Sequence, residues 1–271
     1  MILDDLVAAA CTALERRRTA FPEASLRERL AGLPAPIDMA ARLRPSGSGR
    51  ATGLAVIAEV KRASPSRGDL NVALDPAAMA VRYARAGAAA VSVLTEESRF
   101  RGSLGDLTAA RRGLREASLQ TPLLRKDFIV APYQLVEARL AGADAALLIA
   151  AILDDAALER LLREALDLGL TPLVEVHDEA ELRRVLPLRP PVIGINNRNL
   201  ADFAVDVDTT RRLRPLVPPG IVVVSESGIR TPEQMAELAR LGVDAVLVGE
   251  ALVTAPDPAA RLAEFLEAGR C

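Results

Sequence analysis

The sequence predicts an α/β protein, a single (β/α)8 TIM barrel with an N-terminal helical extension. From residue 55 onward, short apolar runs alternate with amphipathic helical stretches, the pattern of parallel strands joined by helical crossovers. A weak repeat also recurs, reading each time as a helix end, a glycine and a buried strand. Its copies are AGAAAVSVL (86–94), AGADAALLI (141–149) and LGVDAVLVG (241–249). Eight predicted strands in roughly 200 residues match a (β/α)8 barrel.

An open, doubly wound sheet is the alternative architecture for the same alternation. Such a sheet usually has a glycine-rich turn after its first strand. Here the first predicted strand is followed by KRASPSRG (61–68), so the barrel is favoured. The predicted strands are 55–60, 89–94, 121–126, 145–149, 172–176, 191–196, 221–225 and 245–249.

Helix boundaries between these strands are well marked. Asp75, Thr231 and Asp257 each precede a proline, so each can cap a helix that begins with that proline. Gln234, three residues after Thr231, completes a capping box. The predicted helices end at glycines, which close a last helical turn easily. These glycines are Gly87, Gly142, Gly169 and Gly242.

Residues 1–50 do not fit the repeat. The stretch from Leu3 to Arg18 has a helical pattern, and the segment after it is interrupted by prolines and by the run Ser46–Gly49. We therefore expect residues 1–50 to form a helical extension that caps the barrel. Residues 51–271 are expected to form the barrel itself, and the whole chain, 1–271, is expected to be one domain.

Composition and charge argue against several classes of function. The net charge is −2 and aromatic residues make up 3% of the chain, so neither the basic footprint nor the stacking surface of a nucleic-acid-binding protein is expected. The N-terminus is acidic, unlike a secretory signal. The most apolar stretch, 145–153, is too short to span a bilayer. We expect a cytoplasmic protein with no nucleic-acid or membrane partner.

Cysteine and histidine are too few for several kinds of site. Cys11 and Cys271 lie near opposite ends of the chain, so neither a disulfide framework nor a metal cluster is predicted. His177 is the single histidine, which leaves a zinc site without its usual ligands. We expect His177 not to contact a substrate, and we expect acid–base chemistry to fall to lysine and carboxylates.

Of the 34 basic residues only two are lysine, Lys61 and Lys126, and all the others are arginine. Each lysine ends an apolar run that predicts a buried strand, where an unpaired charge is costly. Lysine, unlike arginine, has a pKa that its surroundings move readily, so it can donate or accept a proton. The alternative is that the sequence has drifted toward arginine and that these two lysines remain by chance. The position of both lysines at strand ends favours a site.

Further charged residues lie at the carboxyl ends of the predicted strands, where barrel enzymes carry their active sites. Because side chains alternate along a strand, Glu59 shares a face with Lys61, and Glu175 shares a face with Leu173. Structural salt bridges would explain any one of these residues. Buried ion pairs, however, stabilise poorly compared with apolar packing. Two lysines and two glutamates converging at one end therefore favour a site with shifted pKa values.

Glycines after the seventh and eighth strands indicate a phosphate site. Ser227 and Gly228 follow the seventh strand, and Gly249 ends the eighth. Barrels often bind phosphate between these two loops through backbone N–H groups, and glycine lets the backbone approach the anion closely. Ordinary turn glycines are the alternative, which their joint position at both loops disfavours.

Seven segments follow one another from the first predicted strand to the eighth: IAEVKRASPSRG (57–68), SVLTEESRFRGS (92–103), LLRKDFIV (123–130), LVEV (173–176), IGINNRNL (193–200), SESGI (225–229) and VLVGEAL (246–252). Together these segments resemble the indole-3-glycerol phosphate synthase family of tryptophan biosynthesis. They occur in the family's order, and the first and third are the most specific. The N-terminal extension also resembles the family's extra helix over the barrel mouth.

The resemblance implies a small phosphorylated substrate, 1-(2-carboxyphenylamino)-1-deoxyribulose 5-phosphate. Ring closure with loss of CO2 and water would give indole-3-glycerol phosphate. The enzyme would be a carbon–carbon lyase of the carboxy-lyase type, and it would need neither a cofactor nor a metal. The sequence leaves the oligomeric state open between a monomer and a weak homodimer.

The resemblance also implies roles for five catalytic residues. Lys126 would be the general acid that protonates the ribulose carbonyl as the ring carbon attacks. Glu175 would be the general base or proton shuttle for dehydration. Lys61 would pair with the anthranilate carboxylate, and Glu59 would position and tune Lys61. Asn196 would hold sugar hydroxyl groups or the oxygen of the intermediate.

Other residues are implied to bind the substrate, either by orienting it or by forming an apolar slot for its aromatic ring. They are Ser64, Arg198 and Ser227 for orientation, and Phe100, Phe128 and Leu147 for the slot.

The implied phosphate-binding residues are Ser227, Gly228, Gly249 and Glu250. Some family members have serine where this chain has Glu250, followed here by Ala251. A hydroxyl contact to phosphate is therefore not expected at this position. We expect backbone N–H groups to bind the phosphate and the Glu250 side chain to turn away.

Two alternative functions would be expected to show different residues at the strand ends. A phosphoribosylanthranilate isomerase would be expected to use a cysteine–aspartate pair, and no cysteine lies at a predicted strand end. A catalytically inactive scaffold barrel should have lost its acid–base residues, yet Lys61, Lys126, Glu59 and Glu175 are all present. The synthase reaction is favoured over both.

Overall fold

The computed structural model describes residues 2–44, 53–199 and 204–270 of the chain. Within these residues, eight parallel strands close into a barrel in which the first strand pairs with the last. The predicted (β/α)8 barrel is confirmed and the open sheet is excluded. The barrel strands are β1 (Ala55–Val60), β2 (Ala90–Leu94), β3 (Leu123–Lys126), β4 (Ala145–Ile149), β5 (Thr171–Val176), β6 (Val192–Asn196), β7 (Val222–Glu226) and β8 (Ala245–Val248).

Helices cover the outside of the barrel and its two ends. In the described ranges, no helix is both long and apolar enough to cross a membrane. The helices are α1 (Ile2–Ala20), α2 (Glu23–Glu28), α3 (Met39–Leu43), α4 (Pro76–Arg85), α5 (Leu104–Glu116), α6 (Pro132–Leu140), α7 (Asp155–Asp167), α8 (Glu179–Val185), α9 (Asp208–Leu213), α10 (Pro232–Arg240), α11 (Glu250–Val253) and α12 (Pro258–Ala268). Short 3₁₀ turns are Ala150–Ile152, Leu186–Leu188 and Arg214–Leu216, and a small hairpin pairs Ala63–Ser64 with Gly68–Asp69.

The predicted strand bounds differ from the observed ones by at most two residues. β3 begins at Leu123 and not at Thr121, since Pro122 has no N–H to donate to a neighbouring strand. β7 continues to Glu226, which pairs with a residue of β6 and one of β8. β8 ends one residue early, so Gly249 belongs to the turn and precedes α11.

The predicted helix caps are confirmed. The carboxylates of Asp75 and Asp257 accept hydrogen bonds from backbone N–H groups at the start of α4 and α12. Thr231 and Gln234 form the expected capping box at the start of α10. The predicted end glycines all have positive φ, from +73° at Gly242 to +100° at Gly87. The capping side chains fix the first residues of these helices, and the glycines fix where helices end and the chain returns to the barrel.

Inward-facing side chains change character along the barrel axis. Near the amino ends of the strands the interior is apolar, and Leu124 and Leu173 belong to this inner cluster. Because side chains alternate, Lys126 and Glu175, two residues further on, also point inward. The charged residues therefore meet at the carboxyl end of an otherwise apolar barrel.

The N-terminal extension contacts both ends of the barrel. α1 lies over the mouth, where Leu6 lines the cavity between the strand ends. α3 closes the opposite end: Met39 and Leu43 are fully buried in the inner cluster. The backbone N–H of Met39 donates to Oγ1 of Thr171 at 3.2 Å. The expected cap over the mouth is thus only part of the extension's role, and the predicted boundary at residues 50 and 51 lies outside the described residues.

Candidate active site

A cavity opens at the carboxyl ends of the barrel strands, beneath α1. Its open volume is about 1100 Å³, part of it continuous with solvent. Every residue given a catalytic, substrate-binding or phosphate-binding role from the sequence lines this cavity. They are Glu59, Lys61, Ser64, Phe100, Lys126, Phe128, Leu147, Glu175, Asn196, Arg198, Ser227, Gly228, Gly249 and Glu250.

Lys126 lies at the base of the cavity between two carboxyl groups. Its Nζ is 3.1 Å from Oε2 of Glu175 and 3.4 Å from Oε2 of Glu226. Burial alone would lower the pKa of Lys126, but the charges of Glu175, Glu226 and Glu59 outweigh it and hold that pKa above its usual value. Lys126 is therefore an ammonium ion at neutral pH, pointing into the cavity.

Glu175 is the ionised partner of Lys126. Its side chain is only 1% exposed, and burial alone would raise the pKa of this carboxyl group. Lys126 and His177 oppose that effect and hold the pKa of Glu175 below its usual range. A buried carboxylate thus stays charged beside the ammonium group.

Glu226 was given no catalytic role from the sequence. Burial raises the pKa of Glu226 to about 8, with Lys126 opposing the rise and the charge of Glu175 adding to it. At neutral pH the proton therefore sits on Glu226 and the negative charge on Glu175. Gly194 of β6 leaves room for this carboxyl group, because a Cβ there would collide with Oε1 of Glu226. In the sequence, the glycine inside the predicted buried strand, Gly194, was the only sign that another group approaches the backbone closely at this point.

Lys61 and Glu59 form the second lysine–glutamate pair. Nζ of Lys61 is 2.7 Å from Oε1 of Glu59, and their side chains are 13% and 6% exposed. Gly249 makes room for the pair: a Cβ there would lie 2.9 Å from Lys61 Nζ and would collide with the Glu59 carboxylate. Gly249 thus has a steric reason to be glycine apart from any contact to phosphate.

Asn196 and Arg198 lie on the loop after β6. Oδ1 of Asn196 accepts a hydrogen bond from the backbone N–H of Arg198 at 3.0 Å. The Arg198 guanidinium donates to Oγ of Ser66 at 3.3 Å, which ties this loop to the loop after β1. Ser64, on that second loop, is buried. The two loops together form one wall of the cavity.

The apolar side of the cavity is formed by Phe100, Phe128 and Leu147. Phe128 and Leu147 are buried, while Phe100 lies on the loop after β2. Sequence reasoning missed what positions that loop. The buried Glu96 carboxylate accepts hydrogen bonds from the backbone N–H groups of Arg99 at 2.8 Å and Phe100 at 3.1 Å. Glu96 thereby fixes the backbone that carries the ring of Phe100.

The loops after β7 and β8 form the remaining wall. Ser227 and Gly228 have consecutive positive φ values of +66° and +79°, which bend the chain sharply where β7 ends. The Glu250 carboxylate lies 3.3 Å from Nη2 of Arg230 and 3.4 Å from Nε of Arg67. It is paired with two arginines at the rim, and neither of them was assigned to the site from the sequence.

A comparison with protein families shows to which family the chain belongs. The family model described as indole-3-glycerol phosphate synthase matches residues 3–265. The chain belongs to the indole-3-glycerol phosphate synthase family. A synthase of this family from Nocardioides sp. is 53% identical over 257 residues, 95% of this chain and 95% of that protein. The synthase from Dehalococcoides mccartyi (strain 195) is 49% identical over 267 residues, 98% of this chain and 100% of that protein.

Solved structures that resemble this synthase-family chain show the fold alone. The 3-hexulose-6-phosphate synthase from Salmonella typhimurium aligns with a TM-score of 0.61 and 16% identity, covering 79% of this chain and 98% of that one. The thiamine phosphate pyrophosphorylase from Pyrococcus furiosus aligns with a TM-score of 0.57 and 18% identity, covering 79% and 94%. Both likenesses agree with the closed barrel.

Proposed function

We propose that this chain closes the indole ring of indole-3-glycerol phosphate with Lys126 as general acid and Glu175 as general base. The observation that carries the proposal is the placement of the Lys126 ammonium group 3.1 Å from an ionised, buried carboxylate in the barrel mouth. A second lysine–glutamate pair and an apolar wall line the same cavity. These are the groups needed to bind a charged aromatic substrate and to move protons on it.

Lys126 would act first, on the ribulose carbonyl. As the ring carbon attacks, negative charge develops on the carbonyl oxygen, and an adjacent ammonium group both stabilises this charge and donates a proton. The charge of the neighbouring Glu175 carboxylate keeps Lys126 protonated when the substrate binds. Its contribution is therefore charge stabilisation completed by proton transfer.

Lys61 would bind the anthranilate carboxylate, and the aromatic ring would lie against Phe128 and Leu147. Anchoring the carboxylate at one end and the phosphate at the other folds the flexible substrate so that ring carbon and carbonyl meet. After CO2 leaves, the charge of Lys61 is again balanced by Glu59, 2.7 Å away. The pair thus suits a step in which a carboxylate arrives and is then lost.

Glu175 would serve the last step, in which water is eliminated. It would accept the proton removed from the carbon skeleton while a lysine ammonium protonates the departing hydroxyl group. Asn196 would hold the oxygen that leaves. Conversion of an ionised substrate carboxylate to CO2 takes up one proton per turnover, which the Lys126 ammonium group is placed to supply.

In the proposed phosphate site, Glu250 occupies the position at which some relatives have serine. Glu250 directly follows Gly249, and its carboxylate pairs with Arg67 and Arg230. Glu250→Ser removes a negative charge that repels phosphate and releases two cations toward it. We expect KM for the substrate to fall about 3- to 10-fold with kcat nearly unchanged. Inhibition by inorganic phosphate should tighten in parallel; a higher KM would show that the carboxylate is needed to hold the arginines.

The experiment that tests the proposed reaction is turnover of 1-(2-carboxyphenylamino)-1-deoxyribulose 5-phosphate, followed by indole fluorescence. The chain contains no tryptophan, so the protein itself adds no indole emission to the product signal. We expect multiple turnovers without added cofactor. A phosphoribosylanthranilate isomerase or an inactive scaffold would give no indole signal, and folded protein that gives none would contradict the proposal.

The oligomeric state, location and partners of the enzyme form a separate proposal. We infer a monomer or weak homodimer that acts in the cytoplasm on a small phosphorylated substrate, without a nucleic-acid partner. The net charge of −2 supports the last point, because proteins that bind a polyanion usually carry a net positive charge. Sedimentation velocity at micromolar concentration would measure the oligomeric state, and a stable larger assembly would overturn that part of the proposal.

A further inference from the structure

His177 lies behind Glu175 and is not among the described residues that line the cavity. Its Nε2 is 3.3 Å from Oε1 of Glu175, and its Nδ1 is 3.1 Å from Oε2 of Glu181. The His177 side chain is 12% exposed, compared with 1% for Glu175. The ring therefore joins the buried carboxylate of the site to a carboxylate on α8.

The start of α8 holds the ring in this orientation. Asp178 caps the helix and accepts a hydrogen bond from the backbone N–H of Glu181 at 2.8 Å. Oε2 of Glu181 accepts one from the backbone N–H of His177, also at 2.8 Å. Because the same oxygen contacts the His177 ring, the strand end, the helix start and the imidazole form one connected unit.

The cationic form of the ring suits both of its neighbours. A neutral imidazole has one N–H and one lone pair, so a lone pair would face a carboxylate on one side. An imidazolium ion presents an N–H on each side. Nε2 lies 3.3 Å from Oε1 of Glu175 but meets no acceptor at hydrogen-bond geometry among the described residues, so an imidazolium ion would be held to Glu175 by charge. Burial alone would lower the pKa of His177, but Glu175 and Glu181 outweigh it and raise that pKa to about 10.

We propose that His177 is the positioning residue of Glu175: its imidazolium ion holds Oε1 from outside the cavity and leaves Oε2 to Lys126 and the substrate. The inference rests on the role proposed for Glu175. When Lys126 gives up its proton, the cation at His177 remains beside Glu175. The carboxylate therefore stays ionised, and in place, through that step.

The charged groups around the ring come from several elements. Glu175 belongs to β5, whereas Asp178 and Glu181 lie at the start of α8. Beyond Glu175 stand Lys126 of β3 and Glu226 of β7. Loss of the His177 charge would leave Lys126 as the cation nearest to two buried carboxyl groups, and the pKa of Glu175 would then rise.

Since the chain has a single histidine, nitrogen-15 NMR of the untagged protein measures the protonation state of the His177 ring without overlap from other histidines. We expect the signals of an imidazolium ion to persist from about pH 6 to pH 9, whereas an unperturbed histidine titrates near 6.5. Titration of the ring at or below about pH 7 would overturn the proposal, whatever the enzyme's activity.

Two substitutions separate the charge of His177 from its contacts. His177→Leu is expected to lower kcat about 10- to 100-fold, because the base loses its orientation. It should also move the acid limb of the kcat–pH profile to higher pH, since a cation that lowers the pKa of Glu175 is gone. His177→Gln keeps a polar group of similar reach without the charge. It should recover most of kcat while the acid limb stays displaced.

A matched control lies on the same helix. Arg183→Ala breaks the exposed pair with Glu179 on α8 and should leave both kcat and the acid limb unchanged. A lower melting temperature of His177→Leu with an unmoved acid limb would reveal a purely structural histidine and overturn the proposal. If the wild-type chain makes no indole-3-glycerol phosphate, the proposed function fails, while the NMR titration still decides the charge of the ring.

Discussion

Lys126→Ala is expected to lower kcat for indole formation by about 1000-fold or more, because both the proton donor and the charge that stabilises the alkoxide are lost. The contacts proposed for the substrate's phosphate and carboxylate lie elsewhere, at the β7 and β8 loops and at Lys61. Binding should therefore weaken little. The expected result is a collapse of kcat with KM changed by no more than about threefold.

The control for this variant is Arg163→Ala on α7. Arg163 pairs with Glu159 at 2.9 Å on the protein surface, with side chains 67% and 55% exposed, so its loss should leave turnover unchanged. The fold of Lys126→Ala can be verified by circular dichroism near pH 6, where Glu226 carries a proton. A folded Lys126→Ala protein within about tenfold of wild-type turnover would refute the role of Lys126.

Glu175→Gln is expected to separate the early steps from the last one. The amide has the shape of the carboxylate but cannot accept a proton, so dehydration should slow by about 100- to 10,000-fold. Ring closure and decarboxylation are proposed to depend on Lys126 and should continue. In a single turnover with excess enzyme, CO2 should therefore be released while indole fluorescence lags far behind.

Glu226→Gln is the matched control for Glu175→Gln. Both glutamates are buried and both contact Lys126, but Glu226 already carries a proton at neutral pH because burial and the charge of Glu175 raise its pKa. Replacing it by an amide therefore changes less, and we expect a loss of no more than about tenfold. Equal loss of CO2 release and indole formation in Glu175→Gln would contradict a role confined to dehydration.

The sequence predicted the parts of the fold that depend on local pattern. Alternation along a strand is a local property, so Glu175, which shares a face with the inward-pointing Leu173, could be placed inside the barrel. Helix starts followed from a capping side chain before proline, as at Thr231. The strand-end lysines were visible because the rest of the chain uses arginine.

The parts that sequence reasoning missed depend on contacts between distant strands. Glu226 meets Lys126 only because barrel closure brings β7 opposite β3, and Gly194 of β6 leaves the space. The burial of α3 beneath the barrel likewise could not be derived from a five-residue helix. The pairing of Glu250 with Arg67 and Arg230 joins three loops, and no spacing in the sequence indicates it.

We propose that position 126 needs a proton donor and not merely a positive charge. The most direct measurement is kcat of Lys126→Arg, followed by indole fluorescence, with Lys61→Arg as the control at a position proposed mainly to grip a carboxylate. Arginine keeps the charge but holds its proton too firmly to donate it. We expect Lys126→Arg to lose at least about 100-fold in kcat and Lys61→Arg to lose much less. A Lys126→Arg enzyme with more than about a tenth of wild-type turnover would contradict the account, because charge alone would then suffice.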